Sequence, residues 1–213
     1  MDKQTRIMGG RCCHEQAANQ DHRYAQTTLN PPNLLETVHT GICFGHQVVA
    51  RALGGDCVSN SNWEVAITEV VLTDLGQRIF GVSSFVSLRF GFQVVASLMP
   101  WQNIQQMHRD HVLNLPPSFH LLGSTIKTKN QAMVQFSNPD ARIPVPDGPM
   151  PQIHVLTLQG HPEFNAGLVK QVIRASSESG AMDKDAAEDG LNNADERNDG
   201  VNIARVIWKV LLQ

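Results

Sequence analysis

Cys43 stands between Gly41 and Gly45 in residues 40–47, TGICFGHQ, and residues 159–164 read QGHPEF. A cysteine becomes a nucleophile as its thiolate, and it then needs a base and an acceptor that orients the base. Glycines two residues to either side permit a cramped strand-to-helix turn that lifts one side chain above a sheet edge. This is the thiol counterpart of the Gly-x-Ser-x-Gly elbow. The helix N-terminus behind the sulfur favours the thiolate, and backbone N–H groups just past it can receive a developing oxyanion. In the second run His161 follows a predicted strand, and Glu163 lies across Pro162, whose fixed φ stiffens the link. A glycine-flanked cysteine alone also fits a buried, inert thiol. Paired with a His-x-Glu at another strand end it points to chemistry, because open parallel sheets place their sites at the carboxyl ends of strands.

The other reactive residue types point elsewhere. Cys57 has no elbow and reads as inert. Cys12, Cys13 and His14 with His22 match no zinc spacing, so neither a metal nor a cofactor is expected. Vicinal Cys12 and Cys13 do not suggest a disulfide framework, and the first residues lack the apolar core of a signal peptide. A reducing, cytoplasmic setting is therefore expected, with Cys43 a free thiol.

The elements that must position these residues become legible from Glu36 onward. "ETVHTGIC" can end a strand, and "FGHQVVARALGG" reads as a helix with Val48, Val49, Ala52 and Leu53 as its apolar stripe and Gly54-Gly55 as its stop. Residues 63–73 and 131–136 alternate as strands do, and 153–159 is a continuous apolar run suited to a buried strand. Residues 138–151 hold five prolines and are expected as a surface loop. Residues 178–200 carry eight acids against two bases and read as a solvated linker. Asp199 is expected to cap a last helix that turns Val201, Ala204, Ile207, Trp208 and Leu211 inward. Strands alternating with helices predict an α/β domain over residues 34–213, with residues 1–33 a poorly structured N-terminal segment.

A chain of 213 residues suffices for one such domain with a sizeable core. The net charge of -3 argues against a nucleic-acid partner. Residues 79–101 are long enough to span a bilayer, but Arg89 sits near their centre, where a charge costs about 2.5–3.5 kcal/mol, so no membrane partner is expected.

"GICFGHQ" together with "QGHPEF" resembles the class I glutamine amidotransferase family, whose triad runs Cys, His, Glu along the chain. "QQMHRDHVLNLPPSF" resembles that family's histidine-and-aspartate segment, and "WEVAITEVVLT" with "MHRDHV" resembles its fungal GMP-synthase-like, stand-alone branch. The resemblance implies a three-layer, largely parallel sheet with flanking helices, the flavodoxin-like class I fold. It implies Cys43 as nucleophile, His161 as base and Glu163 as its orienting partner. Gln47 would touch bound glutamine, Phe44 would lend an oxyanion N–H, and His108 and Asp110 would lie close to the glutamine. For His108 and Asp110, a structural hydrogen bond within a loop is the competing reading.

The implied partners are L-glutamine and a synthetase or other partner that activates an ammonia acceptor. A γ-glutamyl hydrolase with the same triad is a second reading, and a catalytically impaired binding protein a third. The family carries a βαβ-rich segment before the elbow that the 42 residues ahead of Cys43 do not show. The fold is therefore expected to be N-terminally incomplete. Residues 82–103 are longer and more apolar than the family's corresponding link.

Overall fold

The computed structural model describes residues 38–81, 101–138 and 148–212. The expectations for residues 1–33, for most of the 82–103 stretch and for most of the proline-rich loop lie outside these residues. The elements are β1 (His39–Ile42), α1 (Phe44–Ala52), β2 (Asp56–Leu72), α2 (Asp74–Phe80), β3 (Trp101–Asn114), β4 (His120–Ser124), β5 (Ala132–Phe136) and β6 (Ile153–Leu158). Three helices follow: α3 (Ala166–Glu178), α4 (Lys184–Asn193) and α5 (Gly200–Leu211).

The strands form one sheet in the order β1-β6-β5-β4-β2-β3. Its strand directions correct the expectation of a largely parallel sheet. Only β1 and β6 pair parallel, while β6-β5, β5-β4, β4-β2 and β2-β3 all pair antiparallel among the described residues. Connection length gives the reason. A few residues join β4 to β5, enough for a hairpin and too few for the crossover that a parallel neighbour requires. The one parallel pair is the one that matters for chemistry, because it brings the carboxyl ends of β1 and β6 side by side.

Alternation along the strands builds three layers. In β5 and β6, Val134 and Leu156 join the cluster that α2 and α5 cover, through Leu75, Phe80, Ile203 and Ile207. Their neighbours Met133 and Val155 pack instead with Val48, Val49 and Ala52 of α1. A third cluster sets Val65 and Ala66 of β2 against Val169 and Ile173 of α3 and Ala187 of α4. This is the α/β layering that the apolar runs predict.

Two predicted details are overturned. Residues 178–200 are not a solvated linker, because they contain α4, capped by the Asp183 carboxylate accepting from Ala186 N at 2.8 Å. The helix lies on β2 through small residues. A Cβ on Gly190 would stand 3.0 Å from both Ile173 and Val65. Its acids, among them Asp185, Glu188 and Asp189, occupy the exposed face. The phase of α5 also differs, since Ile203, Ile207 and Val210 are buried while Val201 and Trp208 are exposed. Asp199 precedes α5 without a side-chain cap. Its carboxylate accepts from Asn103 N and Arg197, and Asn198 takes the first helical N–H, that of Gly200. The acid ties the helix to β3 instead of capping it.

Candidate active site

The elbow is built by contact at atomic distance. The chain leaves β1 at Ile42, and Cys43 adopts φ 51° and ψ -103°, a conformation rare for a residue with a side chain. Helix α1 starts at the next residue. A Cβ on Gly41 would lie 2.6 Å from the Gly45 carbonyl carbon and 3.0 Å from His46 N. Glycine at position 41 is therefore a condition of so tight a turn. Strain of this kind costs on the order of 1–3 kcal/mol and persists only where the surroundings impose it. Here the parallel register, Ile42 opposite Leu158, and a hydrogen bond from Cys43 N to Leu158 O at 2.8 Å hold the turn in place.

The same register delivers the second motif. β6 ends at Leu158, and His161 follows, its N–H bonded to Gln105 O at 2.8 Å. Its Nδ1 donates to Glu163 Oε1 at 2.7 Å, and its ring stacks on Phe164 with centroids 4.1 Å apart. Burial by itself pulls the His161 pKa down. Hydrogen bonding and charge interaction with Cys43 and Glu163 outweigh it and raise the pKa to about 9. An imidazole held protonated between a thiol and a carboxylate can support a thiolate and hand a proton to a leaving group.

Beside the sulfur lies an open cavity of about 320 Å³ whose walls include Cys43, Gln47, Trp63, His108, Arg109 and Asp110. Three of the residues predicted to meet a substrate, Gln47, His108 and Asp110, thus share one space with the thiol. Phe44 does not line it. Its side chain packs with the α1 cluster, and only its position as the first residue of α1, next to Cys43, fits a backbone role. The Gln47 amide is buried and donates to Asp110 O at 2.7 Å and to Gln159 Oε1 at 3.2 Å. His108 is buried against Glu64, with its Nδ1 3.1 Å from Asp110 O. His108 and Asp110 lie within β3, opposite Glu64 and Ser59 of β2, so they are strand residues and not the loop residues expected, although the structural hydrogen-bond distance between them is present on the cavity wall. A larger cavity of about 680 Å³, between α2, β3 and α5, carries Arg78, Arg197, Arg205 and Lys209 but no nucleophile. Among the described residues, no three His, Cys, Asp or Glu side chains converge as a metal site requires.

The chain resembles known proteins over most of its length. No family model matches it. A glutamine amidotransferase-like protein of Schizosaccharomyces pombe is 31% identical over 174 residues, which cover 81% of this chain and 57% of that protein. A crystal structure of a glutamine amidotransferase from Thermotoga maritima superposes with a TM-score of 0.62 at 18% identity, covering 96% of this chain and 76% of that one. The chain belongs to the class I glutamine amidotransferase family. Within that family's reach, γ-glutamyl peptidase 5 of Arabidopsis thaliana is 29% identical over 149 residues, 70% of this chain and 49% of its own length. A glutamine-hydrolysing GMP synthase component from Sulfolobus acidocaldarius is 31% identical over 111 residues, 52% of this chain and 47% of that protein. The chain spans about half the length of the relatives it matches.

Several residues at the site of this amidotransferase-family chain escape a reading of the sequence. Gln159 is fully buried, with its Nε2 3.6 Å from Cys43 Sγ. The available signal is its place at the end of the predicted strand, just past β6, and two residues before His161. Glu64 anchors His108 from β2, and its signal is an acid placed among the inward residues of an alternating strand. His46, inside the elbow motif, is a core residue. Burial drops its pKa to about 3, and Thr157 Oγ1 and Asn130 O flank its ring at 2.8 and 3.1 Å. Among the described residues no helix is long and apolar enough to cross a membrane.

Proposed function

We propose that this chain hydrolyses the side-chain amide of glutamine through a cysteinyl thioester and passes the ammonia to an acceptor bound elsewhere. The observation that carries the reading is the strained Cys43 elbow meeting the His161–Glu163 pair beside an open cavity. Cys43 Sγ attacks the amide carbon, and the developing oxyanion takes the backbone N–H of Phe44. His161 gives its proton to the departing ammonia. The neutral imidazole then takes a proton from water, which releases glutamate from the thioester, while Glu163 keeps the ring oriented throughout. Gln47, His108 and Asp110 contact the amino-acid end of glutamine from the cavity wall. Residues 34–213 form the working domain, no metal or other cofactor takes part, and the reaction runs in the cytoplasm. The likeness to the GMP synthase component supports a synthetase, or another acceptor-activating protein, as partner.

The likeness to a γ-glutamyl peptidase favours a second reading, in which the bond cleaved joins a γ-glutamyl group to a peptide. One assay separates the two. Glutamate release is measured from free glutamine and from γ-glutamyl dipeptides, with Cys43→Ala as control. Faster Cys43-dependent turnover of glutamine upholds the first reading and preference for the dipeptides upholds the second. The absence of turnover on both substrates, with and without candidate synthetases, overturns both.

A further inference from the structure

We infer that Gln159 is a further catalytic group at the thiol: its side-chain N–H donates to Cys43 Sγ and favours the sulfur anion, and Gln47 fixes its amide in that orientation. The inference rests on Cys43 being the nucleophile proposed above, but its test reads the sulfur directly and needs no substrate.

The orientation follows from what each group can do. The Asp110 backbone carbonyl only accepts hydrogen bonds, so the Gln47 atom 2.7 Å from it is the NH2. That NH2 also lies 3.2 Å from the Gln159 amide, and the Gln159 atom facing it must be oxygen. The NH2 of Gln159 is then the end directed at Cys43 Sγ, 3.6 Å away. A main-chain carbonyl on β3 thus sets two side-chain amides in series and ends the series with a donor at sulfur. Reversing either amide would set oxygen against oxygen or nitrogen against nitrogen, in a fully buried place where water cannot compensate.

The backbone leaves Gln159 little freedom to do otherwise. β1 and β6 end side by side at Ile42 and Leu158, so Cys43 and Gln159 are the next residues beyond adjoining strand ends. Gln159 N bonds to Gln131 O at 2.8 Å. A Cβ on the next residue, Gly160, would meet Gln106 and Ile104 at 3.0 Å, so the strand passes tightly between its neighbours. Gln159 and His161, two positions apart, both address the sulfur. One supplies a neutral donor that never dissociates, and the other a proton that moves.

A donor of this kind stabilises S⁻ relative to S–H, as hydrogen bonds to charged groups do, and so enlarges the thiolate fraction at neutral pH. It also tempers the anion's nucleophilicity. Removing it should therefore slow alkylation below the midpoint of the pH profile without lowering the plateau above it. A merely structural role would not produce that pattern.

The test is the pH dependence of iodoacetamide alkylation, read by mass spectrometry on the peptide that carries Cys43. Gln159→Met keeps the length and loses the donor, and its midpoint should rise by about one pH unit with an undiminished plateau. Gln159→Glu keeps the shape and the bond from Gln47 but sets a carboxylate against the sulfur, so its midpoint should rise further. Gln47→Leu, which does not touch the sulfur, should shift the midpoint in the same direction. If Gln159→Met does not fold, the isosteric Gln159→Glu decides. Wild-type midpoints in the Gln159 variants overturn the inference, and an unmoved midpoint in Gln47→Leu overturns its orienting part. A wild-type protein that alkylates at Cys43 yet releases nothing from glutamine or γ-glutamyl peptides would instead defeat the proposed function.

Discussion

Glu64 and His108 face one another across the paired strands β2 and β3, with Glu64 Oε2 3.1 Å from His108 Nε2 and both side chains buried. The two atoms are close, but the contact is not an aligned hydrogen bond. Thr125 Oγ1 donates to the other carboxylate oxygen at 2.6 Å, and Gln131 Nε2 donates to Oε2 at 2.8 Å. The register shift in β2 between Ser59 and Glu64 coincides with the point where this acid turns inward. A polar cluster thus runs from the core of the sheet to the cavity wall beside Cys43.

Glu64→Gln should therefore weaken both stability and substrate binding. Burial pushes the Glu64 carboxyl upward, but the contacts with His108 and Thr125 hold it below its ordinary 4.5. A lowered folded-state pKa contributes stability above pH 4.5 that disappears as pH falls through the folded value. Urea unfolding should show the variant less stable by about 1–3 kcal/mol near neutral pH, with the gap closing below pH 4.5. Acting through His108, the substitution should raise KM for glutamine more than it lowers kcat. A pH-independent gap would show that the carboxylate charge is not what stabilises.

The share of this site legible in the sequence has physical bounds. The Gly41-x-Cys43-x-Gly45 turn is readable because steric exclusion leaves only glycine at position 41. β2 and β6 are readable because apolar alternation and apolar runs mark burial directly. Strand direction is not readable in this way, since side chains on β5 report which face they occupy and not which way the neighbouring strand runs. α4 hides because Ala187, Gly190 and Ala194 pack closely without looking hydrophobic, while its acids dominate the composition. α5 misleads through Trp208, a large apolar residue that the helix phase leaves exposed. Gln159 and Glu64 have polar side chains whose partners lie far along the chain, and only the fold brings those partners near.

Cys43 should be the selectively reactive thiol of the described pair. Cys57 lies within β2 opposite Val112, outside the elbow and with no helix starting behind it. A glutamine-mimicking diazoketone should label Cys43 and spare Cys57, as peptide mapping will show. Equal labelling would remove the elbow from the account of reactivity.

The strain at Cys43 predicts a trade between stability and function. Cys43→Gly should abolish turnover, since no thioester can form, yet raise the unfolding free energy by about 1 kcal/mol through release of the φ 51° backbone. Cys43→Ala should be equally inactive without that gain, because alanine keeps the Cβ. Equal stabilities for the two variants in urea would show that the elbow stores no appreciable strain.

Gly41→Ala should disable the site from one residue outside it. The new methyl would lie 2.6 Å from the Gly45 carbonyl carbon, a backbone atom of α1, while Gly41 itself is held in β1 opposite Thr157 of β6. Relief requires α1 to move away from β1, at a cost of about 1–3 kcal/mol as in other overpacked sites. That movement also takes the sulfur away from His161. Alkylation of Cys43 at neutral pH should slow markedly while the protein remains folded by circular dichroism. Wild-type alkylation in a folded Gly41→Ala protein would mean that the turn tolerates a side chain.

The pH profile tests the His161–Glu163 pair most directly. The folded His161 pKa, raised to about 9, exceeds the ordinary 6.5, because the contacts with Cys43 and Glu163 outweigh burial. A raised value contributes stability that is complete below pH 6.5 and is lost as pH rises through about 9. In the proposed reaction this proton passes to departing ammonia, so kcat/KM for glutamine should fall on an alkaline limb near pH 9. Glu163→Gln removes the anion 2.7 Å from Nδ1 and leaves the ring nitrogen facing Cys43 intact. Its alkaline limb should move toward lower pH and its kcat should fall by about 10²-fold, well short of the complete loss in Cys43→Ala. The alkaline loss of stability should move with the limb, which thermal unfolding across the same pH range will record. A Glu163→Gln protein with wild-type turnover and an unmoved limb would show that the carboxylate neither orients nor charges the imidazole, and would remove Glu163 from the proposed triad.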